Sequence, residues 1–171
     1  MRTFYIISIF LILIVFTVFG LGGISEVSYE NTKSASYNDK IENVWKVLTT
    51  VESYLEKKND LEKIEVIDKT FNNISSWREL YKDGTVREYK IVEKNSPKYF
   101  VLEMSDSKNK KIGVWEYLLE NENSKTKISI TEKSENNSIF WRGINTILGR
   151  DNYIDSEFKW IRVSLFNNLL N

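Results

Sequence analysis

The sequence predicts an α+β protein: one membrane-crossing helix, then a single domain with seven strands and a long closing helix. Three observations predict it. An unbroken apolar run from Phe4 to Ile24 opens the chain, six short β-type segments separated by turn residues fill its middle, and a broad apolar stripe of helical period closes it.

The opening run is 21 residues long and carries no charge. As a helix rising 1.5 Å per residue it measures about 31 Å, which matches a hydrocarbon core of about 30 Å. Fifteen of its residues are Leu, Ile, Val or Phe. At roughly −0.4 kcal/mol each they favour insertion by about 6 kcal/mol, more than Ser8, Thr17 and the glycines remove. A single-pass anchor is expected over residues 1–25. The alternative is a cleaved secretory signal, whose apolar region usually runs 7–15 residues before a small-x-small site; Gly20-Leu21-Gly22 offers such a site. The length of the run favours the anchor. Lipoprotein attachment is excluded because the chain has no cysteine to acylate. Arg2 flanks one end and Glu26 and Glu30 the other, so the positive-inside rule puts the N-terminus in the cytoplasm and the body outside.

Residues 26–171 are enough for one domain with a normal core. From Glu26 to Tyr37 the chain is β-leaning and partly alternating, a first strand leaving the membrane. Ile41, Val44, Trp45 and Leu48 then fall at helical spacing behind Asn38 as N-cap, and Val51, Tyr54 and Leu55 continue into a second short helix. After the polar break Lys57-Lys58-Asn59-Asp60 come six strands: Leu61 to Thr70, Ile74 to Tyr81, Thr85 to Lys94, Lys98 to Ser105, Ile112 to Glu120 and Lys125 to Lys133. Asp83-Gly84, Asn95-Ser96-Pro97, Ser105 to Lys111 and Asn121 to Ser124 are the turns of a meander. Ile139, Phe140, Ile144, Ile147 and Leu148 mark a further helix ended by Gly149. A longer helix begins near Asn152, with a stripe of Ile154, Phe158, Ile161, Leu165 and Leu169 widened by Tyr153, Trp160, Val163 and Phe166. A stripe that broad calls for a sheet around it.

Composition excludes several chemistries. The chain has 24 basic and 24 acidic residues and only Arg2 among them lies in the anchor, so the body is near neutral. Nucleic acid is therefore not a partner, and adhesion to anionic lipid by charge is disfavoured; contact with the membrane must be hydrophobic. With no histidine and no cysteine, the chain cannot build a Ser-His-Asp triad, a thiol nucleophile or a zinc site of His/Cys type, and no metal or other cofactor is expected. The body's glycines, Gly84, Gly113, Gly143 and Gly149, are isolated, which rules out the phosphate-cradling loops.

The element order β-α-α-β6-α, with the phrases VWKVLTTVESY (44–54), IEVID (64–68), WRELYKDG (77–84), GVWEYLLE (113–120) and ISITEKSE (128–135), resembles the START-like helix-grip superfamily (SRPBCC) in its polyketide cyclase/dehydrase and lipid-transport branch. The resemblance covers nearly the whole body. The chain departs from it after Tyr54, where Leu55 and Lys57 stand in place of the usual proline and tryptophan. What the resemblance implies is a helix-grip fold: a curved seven-stranded antiparallel sheet around the long C-terminal helix, with a cavity between them for a lipid or another apolar small molecule. Alternation along the strands then names the cavity side chains. Trp77, Glu79 and Tyr81 share one face of their strand; Gly113, Trp115, Tyr117 and Leu119 share one of theirs; Ile128, Ile130 and Glu132 share another, with Phe158 and Ile161 facing them from the helix.

Glu79 and Glu132 are the candidate catalytic residues, since a carboxylate on a buried face has its pKa raised unless a cation or donor compensates. The bland alternative is that they lie near solvent or pair with Arg78, Arg87, Arg142 or Lys90. Arg142 and Arg150 can meet a ligand head group, and Lys108-Asn109-Lys110-Lys111 is a solvated turn with a minor option of lipid-phosphate contact. Three functions follow: a membrane-tethered binder of a lipid or apolar molecule, a tethered partner-binding protein, or a cyclase or dehydratase using Glu79, Glu132 or Tyr117 as acid or base.

Overall fold

The apolar run forms one continuous helix, α1 (Arg2–Ile24), in the computed structural model of the chain, which describes residues 2–70, 73–108, 110–149 and 152–168. It leads directly into β1 (Ser28–Tyr37). Next come α2 (Ile41–Thr49), a 3₁₀ turn (Val51–Ser53) and the short α3 (Tyr54–Lys57). The meander consists of β2 (Leu61–Thr70), β3 (Asn73–Tyr81), β4 (Val86–Asn95), β5 (Tyr99–Asp106), β6 (Lys111–Glu122) and β7 (Lys125–Glu135). Two helices close the described chain, α4 (Ile139–Leu148) and α5 (Asn152–Asn168).

Among the described residues the seven strands form one antiparallel sheet in the order β1-β7-β6-β5-β4-β3-β2. Turn chemistry sets the hairpins. Gly84 takes φ +83° and donates its N–H to the Tyr81 carbonyl, closing the β3–β4 turn at 2.9 Å. Asn123 and Ser124, the two residues between β6 and β7, both have positive φ, the combination that matches the twist of paired strands.

The N-terminus of α2 differs from the sequence reading. The residue at the cap position is Lys40 rather than Asn38, and its side chain makes no capping bond. Asp39 supplies the negative end instead: its Oδ1 accepts from Lys40 N and from Asn43 Nδ2, each at 2.7 Å, beside the helix's exposed N–H groups.

α2 and α5 pack on one face of the sheet. α2 buries Ile41, Val44, Trp45, Val47 and Leu48; α5 buries Ile154, Phe158, Ile161 and Leu165 at i, i+4, i+7, i+11. Complete burial of an isoleucine such as Ile154 or Ile161 contributes about 1.5–3 kcal/mol. The stripe is narrower than its sequence: Val163 and Phe166 are exposed, and Leu169 lies outside the described residues.

α4 takes no part in this core. Its buried residues are Arg142 and Gly143, and both lie against α1. A Cβ on Gly22 would sit 1.8 Å from the Ile139 carbonyl oxygen, and one on Gly143 would sit 1.9 Å from that of Val18. Only glycine at both places lets the two backbones approach so closely. Phe19 meets Phe140 with ring centroids 6.0 Å apart, and Ser25 Oγ lies 2.7 Å from Thr146 Oγ1. Arg142 Nε donates to the Gly22 carbonyl at 2.9 Å and its Nη1 to the Asn136 carbonyl at 3.1 Å. One of the carbonyls that the end of α1 leaves without a helical partner is met in this way. Elsewhere α1 stands clear of the core with nearly all its side chains exposed.

Candidate functional site

Three charged side chains meet inside the grip of sheet and helix. Glu79 on β3 is completely buried, Glu157 on α5 is 8% exposed, and Lys58 extends the last turn of α3 through its N–H to the Tyr54 carbonyl. The Lys58 ammonium lies 3.5 Å from Glu79 Oε1 and 3.7 Å from Glu157 Oε1. It also sits 4.7 Å from the centre of the Tyr54 ring and 5.3 Å from that of Trp160, where the ring faces attract a cation. Glu79 is further held by Trp77 Nε1 at 3.1 Å and by the Tyr81 hydroxyl, which donates to Oε2 at 2.5 Å. The Tyr81 and Tyr89 hydroxyls are 3.3 Å apart.

Burial pushes the Glu157 carboxyl above its ordinary range; Lys58 opposes the shift and the nearby Glu79 adds to it. Burial alone would lower the Lys58 amine, but Glu157 and then Glu79 outweigh it and hold the amine above its usual value. Lys58 is therefore a fixed cation at neutral pH, and Glu157 is a carboxyl able to keep a proton nearer to neutral pH than an exposed one. Tyr81 and Tyr89 are both raised, in each case first by burial, so their hydroxyls remain donors.

Around this cluster the interior is full. A void of about 10 Å³ remains beside Glu79, Lys58, Tyr89, Tyr117, Tyr153 and Trp160, which is about the room of a single water. Stacked rings occupy the rest: Phe100 on Tyr117 at 4.3 Å and Trp77 on Tyr89 at 5.3 Å. The cavity that the family resemblance implies is thus reduced to this small void by aromatic packing. Outside it lies a mouth of about 330 Å³, bounded by Asp60, Tyr81, Arg87, Ser156, Lys159 and Val163, a volume suited to a small molecule. Mouth and void share four residues, Lys58, Tyr153, Glu157 and Trp160, which form the layer between them. Trp160 Nε1 is buried there with no hydrogen-bond partner among the described residues, a donor whose desolvation costs about 1–3 kcal/mol until something accepts from it.

Strand register locates the mouth. Leu61 pairs with Tyr81, Leu80 with Val86, Arg87 with Asp106, Ser105 with Lys111, Gly113 with Ser134, and Ser28 with Glu135. These pairs run along one end of the sheet, so the mouth opens at the same end as the exit of α1 and the start of α4. A groove of about 640 Å³ also lies at this end, along β1, β6 and β7. Five charged side chains border it (Glu26, Glu30, Lys111, Lys133 and Glu135), and it does not reach the buried cluster.

The residues singled out from sequence separate into two groups. Trp77, Glu79 and Tyr117 border the void and Tyr81 the mouth. Trp115, Ile128, Ile130, Glu132, Phe158 and Ile161 are buried on the same side of the sheet but border neither space. Glu132, which accepts from Ser134 Oγ at 2.9 Å, stands apart from Glu79 toward β7, so the two candidate carboxylates do not form a pair. The cation on Glu79 is Lys58, and not Arg78, Arg87, Arg142 or Lys90. Arg78 faces the other way, bonded to Glu88 and Glu65. Arg142 is bonded to the Gly22 and Asn136 carbonyls and borders neither the mouth nor the void, and Arg150 lies outside the described residues. Asp106 Oδ1 accepts from the N–H groups of Lys108 and Lys110, making the lysine loop a tight exposed turn; Asn109 lies outside the described residues.

No protein-family model and no curated protein matches the chain. Solved structures do. The Zhui aromatase/cyclase from Streptomyces sp. R1128 superposes with a TM-score of 0.66 at 8% identity, over 83% of this chain and 96% of its own. Ara h 8.0201 gives 0.62 at 9% identity, over 84% and 99%. A conserved protein from Geobacillus kaustophilus gives 0.63 at 13% identity, over 81% and 96%. The fold is the helix-grip fold. At these identities the likeness extends to the fold alone, and the helix-grip interior of this chain has to be read from its own residues.

Sequence reading missed Lys58, Tyr89, Tyr153, Glu157 and Trp160 as site residues. For Glu157 the signal was present: it lies three residues after Ile154 and four before Ile161, inside the buried stripe. Lys58 gave none, being one member of a polar quartet in a connection.

Proposed function

We propose that the chain is a membrane-tethered helix-grip domain that takes an apolar molecule with a polar end, such as a lipid, through the mouth between β3, β4 and α5. Residues 1–25 serve as the anchor, with the N-terminus in the cytoplasm, and residues 26–171 as the binding domain. The observation that carries the reading is the shared layer. Lys58, Tyr153, Glu157 and Trp160 separate a mouth of about 330 Å³ from the buried carboxylate cluster, so rotation of these side chains joins the two spaces. The opening at the anchor's end of the sheet supports a ligand drawn from the bilayer, because the mouth then faces the phase where such molecules reside. A polar head group would meet Lys58 and Arg87, and the Trp160 N–H, while the apolar part lies along Tyr153 and Val163.

The test is lipid extraction and native mass spectrometry of the full chain purified in mild detergent. A stoichiometric bound species, released by unfolding and lost in Trp160→Ala, is the expected result. A chain that carries nothing and shows no tryptophan fluorescence change on titration with fatty acid would overturn the proposal.

Acid–base chemistry at the same mouth is a second reading, favoured by one observation: Glu157 is a buried carboxyl raised above its ordinary range and bordering both spaces. Turnover abolished by Glu157→Gln with ligand binding retained would establish it over simple binding, and ligand recovered unchanged from both forms would refute it.

A further inference from the structure

α4 is an amphipathic helix with an unusual distribution of polarity. Its one charged residue, Arg142, is turned inward onto α1, while Ile139, Phe140, Trp141, Ile147 and Leu148 are 42–68% exposed. A helix that faced water would carry the reverse pattern. Among the described residues nothing in the domain core covers this face.

Its position relative to α1 says what does. The midpoint of the apolar run Phe4–Ile24 is Ile14, and the two points of close backbone contact with α4, Val18 and Gly22, are four and eight residues further on. At 1.5 Å per residue they lie about 6 and 12 Å from the bilayer centre for an upright helix, so α4 sits about 3–9 Å inside a hydrocarbon boundary at about 15 Å. Interfacial helices bury their apolar faces about 5–10 Å into this zone. Phe140 meets Phe19 of α1, so the exposed face of α4 adjoins the apolar surface of α1. Trp141, 57% exposed, is the residue type that settles at the headgroup level.

We infer that α4 lies in the bilayer interface beside the end of α1, its face of Phe140, Trp141, Ile147 and Leu148 seated on lipid. The anchor and α4 together make a two-point contact, clamped by Gly22, Gly143 and Arg142, and this contact fixes the tilt of the domain and keeps the mouth's end of the sheet toward the membrane. The inference rests on α1 being a membrane anchor. It adds a second lipid-contacting element whose chemistry is apolar, as the chain's neutral charge balance requires.

The chain carries its own reporter. Of the five tryptophans, Trp45, Trp77, Trp115 and Trp160 are 2–8% exposed and α1 has none, so Trp141 is the one open to the bilayer itself, and quenching of Trp160 by a molecule in the mouth would persist in Trp141→Phe. The full chain would be reconstituted in phosphatidylcholine vesicles brominated near the top of the acyl chain, with unbrominated vesicles as reference. The expected result is clear fluorescence quenching that is mostly lost in Trp141→Phe and restored when Leu148→Trp is added to that variant. Resistance to carbonate extraction is measured on the same vesicles. A chain that resists extraction but shows no Trp141 quenching overturns this inference and leaves the anchor standing. A chain released by carbonate overturns both. Unquenched Trp141 together with a crosslinked dimer assigns the face to a second copy and likewise overturns the lipid assignment.

Discussion

Lys58 and Arg142 are cations drawn out of water at one end of the molecule, and they are held by opposite means. Lys58 stands between two carboxylates and two aromatic rings in the grip of sheet and helix. Arg142 bonds to two main-chain carbonyls between α1 and α4. The difference decides what each region loses without its cation. Removing Lys58 strands buried negative charge, whereas removing Arg142 leaves only neutral acceptors unmet. The first region is thus electrostatically tuned and responsive to pH through its buried carboxyl and amine; the second is a packing joint built on neutral main-chain acceptors.

Alkali separates the two regions most strongly. Tyr37 is pushed up to about 12, and Tyr54, Tyr81, Tyr89, Tyr117 and Tyr153 are also raised, each first by burial. A pKa raised in the folded state means that the protonated form stabilises the fold. That contribution is complete below the unfolded tyrosine value of about 10 and is lost as pH rises through the folded values. Lys58, raised as well, acts in the same direction from about 10.4 upward. Several groups act together, so the loss exceeds that of any one substitution. The melting temperature should stay level from neutral pH to about 10 and then fall steeply, with most tyrosinate absorbance appearing only on unfolding. All nine tyrosines ionising near pH 10 in the folded chain would contradict this.

Lys58→Met is the next largest perturbation. It leaves Glu79 and Glu157 buried without their cation, a loss of about 3–5 kcal/mol, or roughly 6–20 °C in melting temperature. Adding Glu157→Gln should recover part of it. The single variant should also gain stability on acidification, because the Glu157 carboxyl, already raised by burial, takes up a proton and loses its stranded charge; thermal melts from pH 7 to pH 4 check the sign.

At the joint, Gly143→Leu drives a side chain into the Val18 carbonyl and should separate α4 from α1 at a cost of about 1–3 kcal/mol, leaving the core melt nearly unchanged. The readout is a disulfide. In a chain with no native cysteine, Ser25→Cys with Thr146→Cys replaces hydroxyls 2.7 Å apart and should crosslink readily; Gly143→Leu should abolish the crosslink. Arg142→Gln is the mildest change, a loss of about 1–2 kcal/mol with a reduced crosslink yield, and with no effect on ligand binding at the mouth.

How much of this was legible beforehand varies by region. The meander was, because Asp83-Gly84 and Asn123-Ser124 are turn residues with a backbone reason, and alternation in β3, β6 and β7 separates Trp77 from Arg78 and Tyr117 from Glu116. The helical character of 139–148 was legible too, but its partner was not. An apolar stripe states that a helix has something to cover and is silent on whether a sheet, another helix or lipid covers it; α4 and α5 show the same period and go to different places. The carboxylate of Glu79 could be placed on the inner face by counting, yet its cation comes from a connection 21 residues earlier in the chain, and such a contact leaves no local pattern. The closed interior was hidden for a related reason: whether aromatic rings line a cavity or fill it depends on stacking geometry such as that of Phe100 and Tyr117.

On the proposed function, an apolar molecule from the bilayer enters at the mouth and reaches the layer formed by Lys58, Tyr153, Glu157 and Trp160. Photolabelling of the full chain in vesicles doped with a diazirine-bearing fatty acid, followed by peptide mapping, is the decisive test. The expected result is label on Tyr153 to Val163 and on the segment from Tyr81 to Tyr89, in addition to α1. Label confined to α1 and α4 would contradict it.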